Sequence, residues 1–227
     1  MPYSRKSQPK KKTAPRRKAP SFAAKVKAVV KQQSETKYKI TSQTENGTSY
    51  GNTVTSPANW ANLNDIAEGS SENQRVGNRI SPTFLNVRGS LQSNTLKPVI
   101  SKLLILETNR SNDPTLDLLE DNAGSINPAT RDLYAISARI NTTKYKVLKT
   151  ITFKTGTYAN HVGDFGGTHL FNCNIKLSGV MHYDDGVSVC QKRNIILVPI
   201  YREAQNDAGL GETMELTFNS KFYYKDL

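Results

Sequence analysis

The sequence predicts an all-β domain, a two-sheet antiparallel sandwich, set behind a basic N-terminal arm. Three observations lead there. After residue 36 the apolar residues come in short blocks separated by long polar loops. No period of 3.6 runs far enough in that region for a helix of ordinary length. The positive charge, finally, is concentrated ahead of the blocks. Of 31 Lys/Arg in 227 residues, eleven lie in residues 1–31, which hold none of the 19 Asp/Glu. Residues 32–227 therefore carry 20 bases against 19 acids, and the net charge of +12 belongs almost wholly to the arm.

The arm, residues 1–35, opens with MPYSRKSQPKKKTAPRRKAP. Its apolar surface is too small to offset the entropy of ordering, so it is predicted to be disordered alone. The following SFAAKVKAVVK sets Phe22, Val26, Val29 and Val30 on one stripe, a short basic amphipathic helix of about three turns that is marginal in isolation. The domain proper, residues 36–227, begins with a strand at 36–42, where Tyr38 and Ile40 share a face. Residues 43–75 read as a long loop anchored by Val54, Trp60, Leu63 and Ile66, punctuated by a short helix around Trp60 to Ala67. Further strands are expected at 78–92, 99–108, 145–155, 169–180, 194–203 and 214–224. Pro82 and Pro199 cannot donate to a ladder, which calls for a bulge, a strand end or an edge at each. Residues 108–135 are a long connection with at most one helical turn near Leu116 to Glu120. Loops of this length exceed those of immunoglobulin-like sandwiches and suit an eight-stranded jelly roll, whose loops cluster at the sheet ends.

Several chemistries are excluded at the same level. No apolar run approaches the roughly 18–20 residues of a membrane span, and no apolar stretch of a signal peptide follows Met1, so a soluble protein made in the cytosol without membrane insertion is expected. Cys173 and Cys190 fit no disulfide or zinc-knuckle spacing and read as buried thiols. His161, His169 and His182 lie in no HExxH or nucleophile-plus-base pattern. His169 and Cys173, on one face of a strand, would stand about 13 Å apart, too far to share an ion. Neither a metal nor a cofactor is implied. Gly163 to Thr168 lacks the GK[ST] ending of a phosphate loop and reads as a turn before a strand, and Asp184-Asp185-Gly186 reads as a hairpin turn. The sequons at Asn46, Asn109 and Asn141 are accidents of an Asn/Thr-rich chain. A lone tryptophan, Trp60, argues against the aromatic platforms of a lectin-like sandwich. Nothing here points to an enzyme.

The arm does carry chemistry. Arg5, Lys6, Lys10, Lys11, Lys12, Arg16, Arg17, Lys18, Lys25, Lys27 and Lys31 are placed to neutralise phosphates and release counterions, an affinity that falls steeply with salt. Tyr3 is the only aromatic among the first twenty residues, so contacts to the nucleic-acid backbone should outweigh base readout. Lys10, Lys11 and Lys12, followed by Arg16, Arg17 and Lys18, also form a bipartite-like nuclear-import cluster. A solubility tail and a membrane-surface helix are the other readings of the same residues.

The stretch Glu72-Asn73-Gln74-Arg75-Val76-Gly77-Asn78-Arg79-Ile80, with Phe84-Leu85-Asn86-Val87-Arg88-Gly89 and Phe222-Tyr223-Tyr224-Lys225-Asp226, resembles the capsid proteins of small circular, Rep-encoding single-stranded DNA viruses, the circovirus-like group. The motif positions are Gln74, Arg75, Gly77, Asn78 and Arg79. The resemblance implies a jelly-roll shell domain, about sixty copies closing a T=1 icosahedral virion, arms on the packaged genome, and passage through the host nucleus. It further implies an importin and a cell-surface receptor as partners. The arm departs from that group in having eight Lys to three Arg. Lys-rich arms also occur on satellite-like and tombusvirus-like RNA virus coats, so single-stranded DNA is the first expectation for the cargo and RNA the alternative. A non-viral nucleic-acid-binding sandwich would share the same charge layout. Read as residues alone, Gly77 permits a tight bend and Asn78 caps it. Arg75, Arg79 and Arg88 are then candidates for subunit or genome contacts, or partners of Glu68 and Glu72.

Overall fold

The structure, a computed structural model, describes residues 21–22, 35–49, 60–93, 99–109, 118, 139–154, 167–203 and 212–227. The chain divides into two units, Met1–Gln33 and Ser34–Leu227, and the β structure belongs to the second. The eleven arm cations and the predicted helix from Ala23 onward lie outside the described residues. The described residues form an all-β fold of two antiparallel sheets.

Nine strands are found among them: β1 (Thr36–Ser49), β2 (Ala61–Asn62), β3 (Arg79–Ser93), β4 (Val99–Thr108), β5 (Tyr145–Lys154), β6 (Thr168–Lys176), β7 (Met181–His182), β8 (Asn194–Glu203) and β9 (Glu212–Asp226). The first sheet runs β1-β9-β3-β6, with β7 beside the start of β3, and the second runs β2-β8-β4-β5. Apart from the two-residue β7, pairing is nested from the ends inward: β1 with β9, β2 with β8, β3 with β6 and β4 with β5. Two further ladders, β3 with β9 and β4 with β8, join these pairs into sheets.

Period-two alternation explains how the sheets face each other. In β6, Phe171, Cys173 and Ile175 are buried while Leu170, Asn172 and Asn174 are exposed. The buried sets of β3, β6 and β9 meet Leu103 and Ile105 of β4, Phe153 of β5, and Ile195 and Leu197 of β8 in one core cluster. Over β8 and β4 the second sheet is also covered on its other face. There Leu104, Leu106, Ile196 and Val198 pack with Tyr145, Leu118 and Ile140, with Trp60 against them. Burial on both faces is why LLIL and IILV read as continuous apolar runs instead of alternating ones.

Several expectations are corrected. Trp60 to Ala67 holds no helix: β2 pairs with β8, and the extended chain beyond it ties Leu63 N–H to Ile195 O (2.8 Å) and Ile66 N–H to Ser188 O (2.9 Å). The apolar spacing that suggested a helix instead sends Leu63 and Ile66 into the core. β1 runs seven residues past Ser42 through a polar stretch, because its backbone pairs with β9 as far as Ser49–Glu212 and an edge strand needs no apolar alternation to do so. β6 stops at Lys176, and the chain turns through Gly179 at φ 93°. Pro82 sits between the β7 and β6 pairings of β3, beside a bulge in the β9 ladder. Pro199 lies on β8 beyond the reach of β2, and among the described residues no strand pairs with that side of it. The Asp184–Gly186 turn is present, with Gly186 at φ 71° and Val187 N–H bonded to Asp184 O (3.2 Å).

Candidate functional site

Of the predicted site residues, the motif Gln74, Arg75, Gly77, Asn78 and Arg79 is described, and it centres on Arg75. That side chain is 0% exposed. Its Nη1 donates to Gly77 O and to Asn78 Oδ1 (3.1 Å), and its Nη2 donates to Asp184 O (2.8 Å) and Val187 O (2.9 Å). Glu68 Oε2 lies 3.5 Å from Nη2 and also accepts from Gly186 N–H at 2.8 Å. The guanidinium carbon stands 4.9 Å from the centroid of the Tyr183 ring. The planar fork with several donors is what this site uses, and a lysine cannot reproduce it. Arg75 is thus an internal clamp between the 67–78 segment and the 183–190 turn.

The other motif residues support that clamp. Gly77 takes φ 77°, a left-handed conformation that places its carbonyl on Arg75. Asn78 bonds Asp185 Oδ1 through its amide, so both ends of its side chain are used. Gln74 O accepts from Lys37 Nζ (3.1 Å), and the same lysine pairs with Asp226 (2.9 Å), whose other oxygen accepts from Val76 N–H (3.2 Å). The motif thereby holds the C-terminal strand as well. Arg79 and Arg88 are exposed. Sequence reasoning offered Glu68 as a partner for Arg75 but missed the carbonyls of the 184–187 turn, which no local pattern connects to residue 75.

A second feature was not anticipated: the outward face of the first sheet. Register sets its side chains in rows that cross β1, β9, β3 and β6 in that order. The first row is Tyr38, Tyr223, Phe84 and Lys176. The second is Ile40, Lys221, Asn86 and Asn174. The third is Ser42, Asn219, Arg88 and Asn172, and the fourth is Thr44, Thr217, Ser90 and Leu170. These four rows hold three cations and no acid. In the first row Tyr38 and Tyr223 have centroids 6.3 Å apart, and Tyr223 and Phe84 6.0 Å. Lys221 Nζ lies over both tyrosines, at 4.0 and 5.2 Å. Asn86 donates to Asn172 (2.8 Å) and Asn174 (2.7 Å), and Asn219 donates to Ser42 (2.6 Å). An open depression of about 570 Å³ lies over the third and fourth rows.

The perturbed titratable groups sit elsewhere, and their environments are structural. Burial pushes Glu107 up, but the hydrogen bonds and charge of Arg193, with the charge of Lys146, outweigh it and hold the carboxyl below its ordinary value. Asp65 is raised by burial, against the opposing charge of Lys39. Burial raises Tyr183, Tyr224 and the Cys173 thiol. Both cysteines are buried thiols. Among the described residues no group of three or more His, Cys, Asp or Glu side chains is placed to hold a metal ion. The sequence matches no family model and no curated protein.

Proposed function

We propose that this chain is the coat protein of a small icosahedral virus of the circular single-stranded DNA type that its motifs resemble. In this reading residues 36–227 are a jelly-roll shell domain and residues 1–35 an arm that packages single-stranded nucleic acid. The observation that carries it is the nested pairing of β1·β9, β2·β8, β3·β6 and β4·β5 in facing sheets ordered β1-β9-β3-β6 and β2-β8-β4-β5. One long antiparallel ribbon of four strand pairs, rolled so that alternate pairs join opposite sheets, produces that order. That order supports the reading of an eight-stranded jelly roll with β7 as an accessory bridge. Jelly rolls also serve lectins and cupins, so the fold alone does not choose a function. The arm does: eleven cations without an acid are of no use to a sugar site and are suited to a phosphate backbone. About sixty copies would close the shell by symmetry. The arm's two basic clusters would serve import into the host nucleus before assembly, and exposed loops would meet a receptor.

Expressing the full chain and a chain lacking residues 1–31 tests the proposal. Electron microscopy should show closed particles for the full chain, with nucleic acid protected from nuclease. The truncated chain should lose the protected nucleic acid. DNase and RNase digestion of the extracted cargo identifies its sugar. Absence of particles from both chains, with equal nucleic-acid binding, would refute the reading.

A further inference from the structure

We propose that the outward face of the first sheet is a second nucleic-acid site, on which a single strand lies with its bases against Tyr38, Tyr223 and Phe84 and its phosphates near Lys176, Lys221 and Arg88. The proposal takes its occupant from the packaging role above, and adds that the β domain itself, not only the arm, reads the strand.

Four observations carry it. Over β8 and β4 the outer face of the second sheet is covered by Trp60, Leu118 and Ile140, whereas Leu170 on the first is 82% exposed. Four successive rows of that face contain three cations and no acid, with Glu215 in the row beyond accepting from Thr217 Oγ1 (3.2 Å), and their local surplus of positive charge fits a polyanion. Three half-exposed aromatic rings share one row, and base stacking on such rings is strong and tolerant of sequence. Beside them Asn172, Asn219 and Ser42 border the 570 Å³ depression, with amide and hydroxyl groups that both donate and accept at base edges.

Geometry selects a single strand. The three rings lie along one row with centroids 6.3 and 6.0 Å apart, nearly twice the 3.4 Å step of a stacked nucleic-acid strand. A chain following that row must therefore splay its bases, which a duplex cannot do without unpairing. Four-stranded sheets with surface aromatics bind single-stranded RNA on this principle. A second copy of the same face would bring its Lys176, Lys221 and Arg88 toward the same three cations, and like charges repel.

The test uses the full chain and a thymidylate dodecamer carrying 5-iododeoxyuridine. Irradiation followed by peptide mapping should place crosslinks on Tyr38, Phe84 or Tyr223. At about 0.4 M salt, where the arm's phosphate contacts are suppressed, the double variant Tyr223→Leu/Lys221→Gln should bind about tenfold more weakly than the parent, in line with the loss of one stacked base. Should that variant misfold, the exposed pair Lys176→Gln/Arg88→Gln should lower the salt dependence of binding by about two phosphate contacts. Crosslinks confined to residues 1–35, with variants binding within about twofold of the parent, overturn the proposal. Micrographs of the same preparations separate it from the coat-protein reading. Particles without crosslinks on the sheet leave the shell standing and remove this site, whereas crosslinks on the sheet without particles support the site and count against the shell.

Discussion

Arg75 shows how one residue can be both a recognisable motif position and an internal fastener. Its two terminal nitrogens serve four acceptors on two segments more than a hundred residues apart, and Glu68 supplies a counter-charge at 3.5 Å. Removing a partner from such a buried set leaves carbonyls that have lost both water and donor. Arg75→Leu is expected to destabilise the domain by about 3–5 kcal/mol, and Arg75→Lys by less but still more than about 1 kcal/mol, because a single ammonium cannot reach both sides of the fork. Urea unfolding monitored by far-UV circular dichroism measures both. Glu107 is a second fastener. Arg193 Nε and Nη2 bond its two oxygens at 3.0 and 3.1 Å, and Arg193 Nη1 reaches Ser178 O at 2.8 Å. Because the folded carboxyl titrates below its ordinary value of 4.5, its contribution is fully present above that pH and is lost as the pH falls through the folded value. Glu107→Gln should cost about 1–2 kcal/mol at pH 7, and the gap from the parent should close as unfolding is followed down from pH 4.5. A gap that stays constant with pH would show that the charge is not what Arg193 uses.

Among the strands β3 has the most to hold, since it carries ladders to β9, β6 and β7 and crosses the middle of the first sheet. Its composition suits that position. Leu85, Val87 and Leu91 face the core, and Gly89 falls in the same phase where Phe171 of β6 crosses beneath it. A Cβ at Gly89 would press into Thr217 O of β9 and stand 2.9 Å from Phe171 Cζ. Since the first obstacle is backbone, relief requires β3 and β9 to move apart. Gly89→Ala is therefore expected to cost about 1–3 kcal/mol as overpacking, with a lower thermal midpoint by calorimetry. An unchanged midpoint would mean that the two strands separate freely there. The prolines make the complementary point. Among the described residues Pro82 and Pro199 each stand where one side lacks a partner strand, so their missing N–H interrupts no ladder there.

For the molecule as a whole, the two sheets differ in what covers them. The second is covered on its outer side over β8 and β4 by its own connections, and the first presents an outer face on which four successive rows hold three cations and no acid, Glu215 standing in the row beyond. On the proposed reading packaging and the sheet-face site are separable by experiment: deleting the arm should remove salt-sensitive affinity, and changing Tyr223 should remove stacking. Much of this was legible in the sequence. Short alternating blocks such as HLFNCNIK dictate strands whatever their partners, because period two allows only one burial pattern, and the position of eleven cations ahead of a neutral body is a matter of covalent order. The Asp-Gly turn and both proline interruptions followed from backbone chemistry that acts within a few residues. What lay beyond reach depended on register. Leu63 and Ile66 imitate a helical spacing but point into a core assembled by β8 and β9; the polar second half of β1 is a strand only because β9 lies beside it. Tyr38, Phe84, Tyr223 and Lys221 come from three strands and form one surface only once those strands are paired. Sequence by itself determined the class of structure and the location of the charge, since both arise from local pattern and composition. Tertiary structure alone decided which residues became neighbours, because pairing strands far apart in the chain sets contacts that no short window contains.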